Sequence, residues 1–373
     1  MITDWTLWLE WFIKALILIV MLLVGFILLT WFERRGLARM QTRVGPNRAG
    51  PFGLLQPIAD AIKLIFKEEL SPAKAYKFVF FLAPILTVVP SIIIAAVIPL
   101  GRSINLFGRE INLYLADINV GVLYFMSVAS IAVYGIVLAG WSSNSKYAML
   151  GGLRSTAQMI SYELSLGISL IPVILLANSM SMVDVVEKQQ GLWFVFLQPV
   201  GAVIFWIATL AEVNRAPFDM PEAEQELTAG YHAEYSGMKF ALFFMAEYQK
   251  MIVISAVMAV FFFGGYLGPF VDQIPLLGPV YLIVKVIALL FVMIWVRATW
   301  PRIRYDRLMS FGWKVLVPLS LAIVFITATG ILLADQTGNA MWMWFIPVAS
   351  IIAGLVPVVT IYLTLRRLSY ERA

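Results

Sequence analysis

Cysteine is absent from the 373-residue chain. That excludes a disulfide, a thiolate metal site and iron–sulfur ligation by this chain. Histidine is almost absent: His232 stands alone, so a multi-histidine metal or haem site is excluded too. Charge is scarce. Asp, Glu, Lys and Arg make up 13% of the residues, against roughly 25% in soluble domains. The deficit lies in long runs. Phe78 to Leu100, Ile118 to Ser145, Val315 to Ala334 and Trp342 to Leu365 contain no Asp, Glu, Lys, Arg or His. A helix needs about 20 apolar residues to cross a hydrocarbon layer of roughly 30 Å, and no soluble core requires four such runs. The N-terminus has neither a basic region nor a small-residue cleavage site and carries Asp4 and Glu10 instead. It reads as a retained first helix rather than a removed signal peptide.

What is present predicts an all-α fold: a polytopic integral membrane helical bundle with about nine transmembrane helices. The spans fall at about 11–32, 78–100, 118–141, 157–177, 192–213, 239–263, 280–300, 314–334 and 342–365. Gly-Pro pairs at 45–46, 50–51, 268–269 and 278–279 punctuate the gaps. With no short-period repeat or low-complexity linker, residues 1–373 read as a single membrane domain. Twenty-one of the 27 Lys and Arg residues fall in loops on one side of this arrangement, and only Arg102, Arg109 and Lys188 fall on the other. Lys14, Lys250 and Lys285 lie within spans. Positive loops stay cytoplasmic. The N-terminus is therefore expected outside and the C-terminus in the cytoplasm, which an odd number of spans satisfies.

The first cytoplasmic loop, 33–77, holds a segment too short and too charged to span. Over 53–69, Leu54, Leu55, Ile58, Ile62, Ile65 and Phe66 recur near helical spacing, with Asp60, Lys63, Lys67 and Glu68 between them. This is the pattern of an amphipathic helix lying along the interface. It serves as a surface anchor or borders a gap through which an apolar ligand enters from lipid.

Three glutamates sit in or at the ends of hydrophobic segments: Glu163 in Ser161-Tyr162-Glu163, Glu212 at the end of span five, and Glu247 inside span six. A charged side chain at the bilayer centre costs about 2.5–3.5 kcal/mol on insertion scales. Such groups either hydrogen-bond between helices or pass protons and switch charge in a wet interior. The loop at 214–238 adds Asp219, Glu222, Glu224, Glu226 and Glu234, five acids within sixteen residues on the side that is otherwise basic. Crowded carboxylates titrate together, and the loop reads either as a proton-handling site or as a solvated dock for a basic neighbour. Arg34, Arg35, Arg39, Arg43 and Arg48 form a basic segment suited to ion pairs and polar head groups.

Several motifs, in order, resemble one family. They are Glu33-Arg34-Arg35, Gly45-Pro46-Asn47, Gly53-Leu54-Leu55-Gln56-Pro57-Ile58-Ala59-Asp60, Lys67-Glu68 and Ser161-Tyr162-Glu163. Ala211-Glu212-Val213-Asn214-Arg215-Ala216-Pro217-Phe218-Asp219, the stretch to Glu234-Tyr235-Ser236, and Pro301-Arg302-Ile303-Arg304-Tyr305-Asp306 complete the set. Over about residues 5–330 the chain resembles the quinone-site membrane subunit of respiratory complex I, the proton-pumping NADH:quinone oxidoreductase, in its bacterial wording. The resemblance implies an inner-membrane subunit that is not catalytic alone. It would form the membrane side of the quinone chamber and couple quinone reduction to proton translocation.

The family's coupling glutamates match Glu163, Glu212 and Glu247, and its acidic coupling loop matches Asp219, Glu222, Glu224, Glu226 and Glu234. Arg34, Arg43, Asp60 and Glu68 fall on motif positions near the chamber. No cofactor is expected on this chain; quinone is the substrate, and flavin mononucleotide and the iron–sulfur clusters belong to partner subunits. The implied partners are peripheral-arm subunits at the last cluster, small membrane subunits and antiporter-like subunits, with the lipid bilayer and without nucleic acid. The chain departs from many members in continuing into a ninth helix at 342–365. Three rival readings stand beside this one: a stand-alone proton-coupled transporter, a related subunit of a membrane-bound hydrogenase-type complex, and a purely structural anchor.

Overall fold

The computed structural model describes residues 4–106, 109–219 and 230–370. Apolar runs in lipid must satisfy every backbone polar group internally, which leaves helix as the spanning structure. Among the described residues, eight helical segments are long and apolar enough to cross a membrane. They begin with α1 (Asp4–Met40), whose 37 residues reach about 55 Å at 1.5 Å per residue. It therefore overshoots the bilayer, and its last turns belong to what reads from sequence as loop. The amphipathic segment is helical over Gln56–Ile65 (α2), shorter than the 53–69 predicted; a short 3-10 turn at Pro51–Gly53 precedes it. None of its residues is buried, and Ile58, Ile62 and Ile65 face outward.

The bundle continues with α3 (Lys77–Ala95), α4 (Gly121–Ser142) and α5 (Lys146–Ala177). An antiparallel hairpin, β1 (Ser103–Leu106) and β2 (Arg109–Asn112), joins α3 to α4, with Ser103 opposite Asn112. After the short α6 (Met182–Glu187), span five is interrupted. A single turn, α7 (Phe194–Leu197), ends at Gln198, which leaves helical geometry at φ −127°, ψ 55°. Pro199 then opens α8 (Pro199–Glu212). Proline lacks the N–H needed to continue a helix and pushes the preceding residue out of the α region. The 14 residues of α8 reach only about 21 Å, short of a bilayer.

Two buried amides repair the break. Gln198 Nε2 donates to Thr327 Oγ1 at 2.6 Å. Gln189 Nε2 donates to the Val260 carbonyl at 2.8 Å, while its Oε1 accepts from the backbone N–H groups of Phe194 and Gly264.

The remaining helices are α9 (Gly237–Phe262), α10 (Leu277–Thr299), α11 (Tyr305–Phe311), α12 (Val317–Thr337) and α13 (Phe345–Tyr370). A π turn at Gly312–Leu316 joins α11 to α12. Residues 305–337 thus form one span. The core runs along α5, α8 and α9, where Leu166, Leu170, Phe205, Val257 and Phe261 are fully enclosed. α13, the extra helix, packs on α8 and α12. Glycines permit both contacts: a β-carbon at Gly330 would lie 2.4 Å from Ile346 Cγ1, and one at Gly354 3.2 Å from Val200.

Candidate functional site

Charged side chains from α1, α9, α10 and the turn after α8 converge in one place. α1 extends its buried stripe of Leu18, Leu22 and Leu29 by one turn and delivers Glu33, only 2% exposed. The carboxylate accepts from Arg215 Nη1 at 2.9 Å and pairs with Arg297 at the end of α10. Arg215 is itself buried, and its Nε lies 2.7 Å from Glu247 Oε1 on α9, an ion pair without hydrogen-bond alignment. Its guanidinium carbon also sits 4.4 Å from the centroid of the Tyr248 ring. Burial works against the Arg215 charge, but Glu247 and Glu33 overcome it and push its pKa above the ordinary value.

α5 holds the chain where it leaves α8. Gln158 Nε2 donates to the carbonyls of Ala211 (2.9 Å) and Phe218 (2.8 Å) and to Asn214 Oδ1 (3.2 Å). Asn214 adopts the left-handed conformation, φ 52°, which asparagine tolerates better than most residues. Its Nδ2 donates to Ser155 Oγ at 2.7 Å. These bonds fix Glu212 and Arg215 three residues apart at the mouth of α8. Farther along, Ile303 N donates to the Pro217 carbonyl and Arg302 meets Asp219 at 3.2 Å. Burial lifts the Asp219 carboxyl above its ordinary value against the opposing pull of Arg302, Arg297 and Arg215.

Deeper in the bundle, Glu212, Asn214, Tyr231, Glu247 and Lys250 line a small cavity of about 20 Å³, room for about one water molecule. Glu163 on α5 accepts from Ser130 Oγ on α4. Glu212 and Glu163 are within electrostatic reach of one another. Glu247 and Glu212 of the predicted trio thus join a series of ionisable groups running from Arg297 through Glu33, Arg215 and Glu247 to Lys250 and Glu212, with Glu163 on the neighbouring α5 bonded to Ser130.

The other expected residues fall elsewhere. Arg34 Nη1 donates to Asp60 Oδ2 at 2.5 Å and Gln56 Nε2 to Asp60 Oδ1 at 3.2 Å, pinning α2 to α1. Burial works to raise the Asp60 carboxyl, and the hydrogen bonds from Arg34 and Gln56 with the Arg34 and Lys63 charges outweigh it, holding it below the ordinary range. Arg43 is exposed and bonds Gln41; Glu68 is exposed. Glu234 is half-buried. Glu222, Glu224 and Glu226 lie outside the described residues. Sequence reading missed Glu33, Arg297 and Lys250 as members of the chain. For Glu33 a signal existed: it continues the Leu22-Phe26-Leu29 face at helical spacing, whereas Arg34 and Arg35 do not.

An apolar cavity of about 430 Å³ lies between α1, α9 and α10, lined by Val24, Leu28, Phe32, Ile252, Ile283 and Ile287 among others. Beside its end at Trp31 and Phe32, the Phe52 carbonyl accepts from Trp31 Nε1 and Arg35 Nη1. Among the described residues no group of His, Cys, Asp or Glu is arranged to hold a metal ion.

Fold and site define a polytopic membrane protein with a buried chain of charges beside an apolar cavity between helices. Residues 13–328 match the model of the NADH dehydrogenase family, and the chain belongs to that family. It is 49% identical over 319 residues to an NADH-quinone oxidoreductase H subunit of Syntrophobacter fumaroxidans, covering 86% of this chain and 95% of that one. Identity is 54% over 300 residues to an H subunit of the same enzyme in Geobacter sulfurreducens (80% and 89% covered). It is 52% over 324 residues to the H subunit of Thermomicrobium roseum (82% and 94%). With eight candidate spans and bacterial relatives of this kind, the chain is a multi-pass protein of the bacterial inner membrane.

Proposed function

We propose that this chain is the membrane subunit that forms the quinone chamber floor of a proton-translocating NADH:quinone oxidoreductase and carries the coupling between quinone reduction and proton movement. The observation that carries the reading is the buried cluster in which Arg297, Glu33, Arg215 and Glu247 pair in series and Glu247 shares a cavity with Lys250 and Glu212. Reduction of a quinone to a quinol takes up two electrons and two protons, and charge that builds at the head group acts on whatever ionisable groups lie nearest. Arg215, shared between Glu33 and Glu247, is built to feel such a change, because drawing the guanidinium toward one carboxylate uncovers the other.

The apolar cavity beside α1 has the lining an isoprenoid tail requires. Arg34 and Asp60 hold α2 against α1 and so shape the lipid-side approach; Arg43 and Glu68 stand on the same cytoplasmic side as candidate chamber residues. Asp219, Glu222, Glu224, Glu226 and Glu234 make up the acidic coupling loop. The basic loops put the N-terminus outside and the C-terminus in the cytoplasm, facing the peripheral-arm subunits that hold flavin and iron–sulfur clusters. Small membrane subunits and antiporter-like subunits continue the proton path.

The test is Glu212→Gln in the assembled complex, with complex amount on native gels and quinone reduction and proton pumping per complex measured separately. The complex should still assemble, with some loss of heat resistance, while coupled turnover falls about a hundredfold, the scale of a lost proton-transfer group. Normal pumping in Glu212→Gln would refute the assignment, and migration of the chain as an independent small oligomer would refute the subunit reading.

A further inference from the structure

Three lysines lie inside spans, and two have plain structural duties. Lys14 pairs with Glu10 one turn away at 2.5 Å. Lys285 Nζ donates to the carbonyls of Gly265 (2.8 Å) and Leu267 (2.7 Å) and closes the turn after α9. Lys250 is different. It is 8% exposed and lies 13 residues into α9, about 20 Å from the helix start at Gly237. Its carbon stem cannot reach water from such a depth as a lysine near a helix end would.

The surroundings of Lys250 are those of the proposed coupling path. It lies three residues from Glu247, on the same face of α9. Both line the 20 Å³ cavity that Glu212 enters from α8. Farther up the chain, Arg215 contacts Glu33 and Glu247, and Arg297 contacts Glu33. Among the described residues, Lys250 is the cation that lines this cavity together with Glu212.

We propose that Lys250 is a positioning residue of the coupling path, the counter-ion of Glu212 whose ammonium, facing Glu247 across the same cavity, ties the charge states of the two glutamates together. This rests on the reading of Glu212 and Glu247 as coupling groups. A lysine suits the task because its compact charge sits on a flexible stem and shifts between two carboxylates without a fixed fork. Glu247 meets Arg215 directly and shares its cavity with Lys250. A change at Arg215 therefore redistributes the ammonium and changes the field at Glu212. Among the described residues, the ionisable groups that share this cavity with the ammonium are Glu212 from the end of α8, Glu247 from α9 and Tyr231 from the preceding loop.

The experiment compares Lys250→Arg, Lys250→Met, Glu212→Gln and the double variant Lys250→Met with Glu212→Gln in the assembled complex. Assembly, thermal stability, quinone reduction and proton pumping per complex are read separately. Lys250→Arg should keep at least half of coupled turnover and Lys250→Met should lose tenfold or more. Removing one member of a buried pair leaves the other charge uncompensated, whereas removing both does not. Lys250→Met should therefore lower the amount or heat resistance of the complex, and adding Glu212→Gln should restore them. Normal coupled turnover in Lys250→Met while Glu212→Gln is impaired would overturn the role of Lys250 alone. Failure of the double variant to restore a complex lost in Lys250→Met would overturn the pairing. Normal turnover in Glu212→Gln would instead remove the underlying reading.

Discussion

Arg215→Met tests whether the buried charge chain holds its end of the bundle together. Arg215 is 5% exposed and reaches two carboxylates with different nitrogens, Nη1 to Glu33 at 2.9 Å and Nε to Glu247 at 2.7 Å. Methionine fills much of the same volume without charge. Removing one partner from a buried ion pair costs about 3–5 kcal/mol, because the survivor stays buried and uncompensated. Glu33 retains Arg297, which keeps about a third of its side chain in solvent, so that half of the loss is softened. Glu247 loses its closer cation outright. The lower end of the range, about 3 kcal/mol, follows, or a little over a hundredfold in the equilibrium between closed and opened forms. Arg215→Lys delivers one charge to one carboxylate and should cost less, about 1.5–3 kcal/mol, the worth of one charged hydrogen bond. The assay heats purified complex in steps and follows assembled complex on native gels alongside NADH:quinone reductase rate per complex. Neutralising all three in Arg215→Met, Glu33→Gln and Glu247→Gln should recover heat resistance but not turnover. An Arg215→Met complex as heat-resistant as its parent would refute the reasoning.

His232 supplies a pH prediction. Burial pushes its pKa down to about 4 from an ordinary 6.5, where it sits edge-on to Tyr231 and against Phe240. Between those values the opened segment binds a proton that the closed one does not. The closing contribution is therefore full above pH 6.5 and lost as pH falls toward 4, by about 3 kcal/mol in all. Hydrogen exchange at 230–236 should accelerate over that window, and His232→Phe should flatten the dependence. Gly151→Val should displace the same segment at every pH, because a β-carbon at Gly151 would lie 2.6 Å from Gly230 Cα. An overpacking cost of about 1–3 kcal/mol should appear as a lowered melting temperature, and an unchanged one would count against that close approach.

Much of the spanning pattern was legible because hydrocarbon imposes a simple rule on composition, and Phe78–Leu100 or Val315–Ala334 obey it residue by residue. The glutamates at 163, 212 and 247 were legible for the same reason, since each stands out against an apolar background. Their partners were not. Glu33 and Arg297 lie at span ends where charge is ordinary, and only the tertiary fold brings α1, α10 and the turn after α8 together. Lys250 was visible as an intramembrane charge, but its role depends on a cavity shared by two helices and a loop that are far apart in sequence.

Span five shows where an apolar run misleads. Trp193 to Val213 is apolar enough to read as one helix, yet Pro199 divides it, and the sequence signal for the division is that single residue. The freed backbone groups at the break cannot face lipid without cost. Gln198 and Gln189, themselves unwelcome in hydrocarbon, become intelligible as the groups that bind α7, α9 and α12 around it. α13 then acquires a physical reason as well. Gly354 brings it against Val200, one residue beyond the proline, so the extra helix covers the interrupted segment on the side where lipid would otherwise meet it. The far end of that same α8 carries Glu212. A short, braced helix places this carboxylate more firmly than a long span free to tilt, which ties the seal at one end to the site at the other.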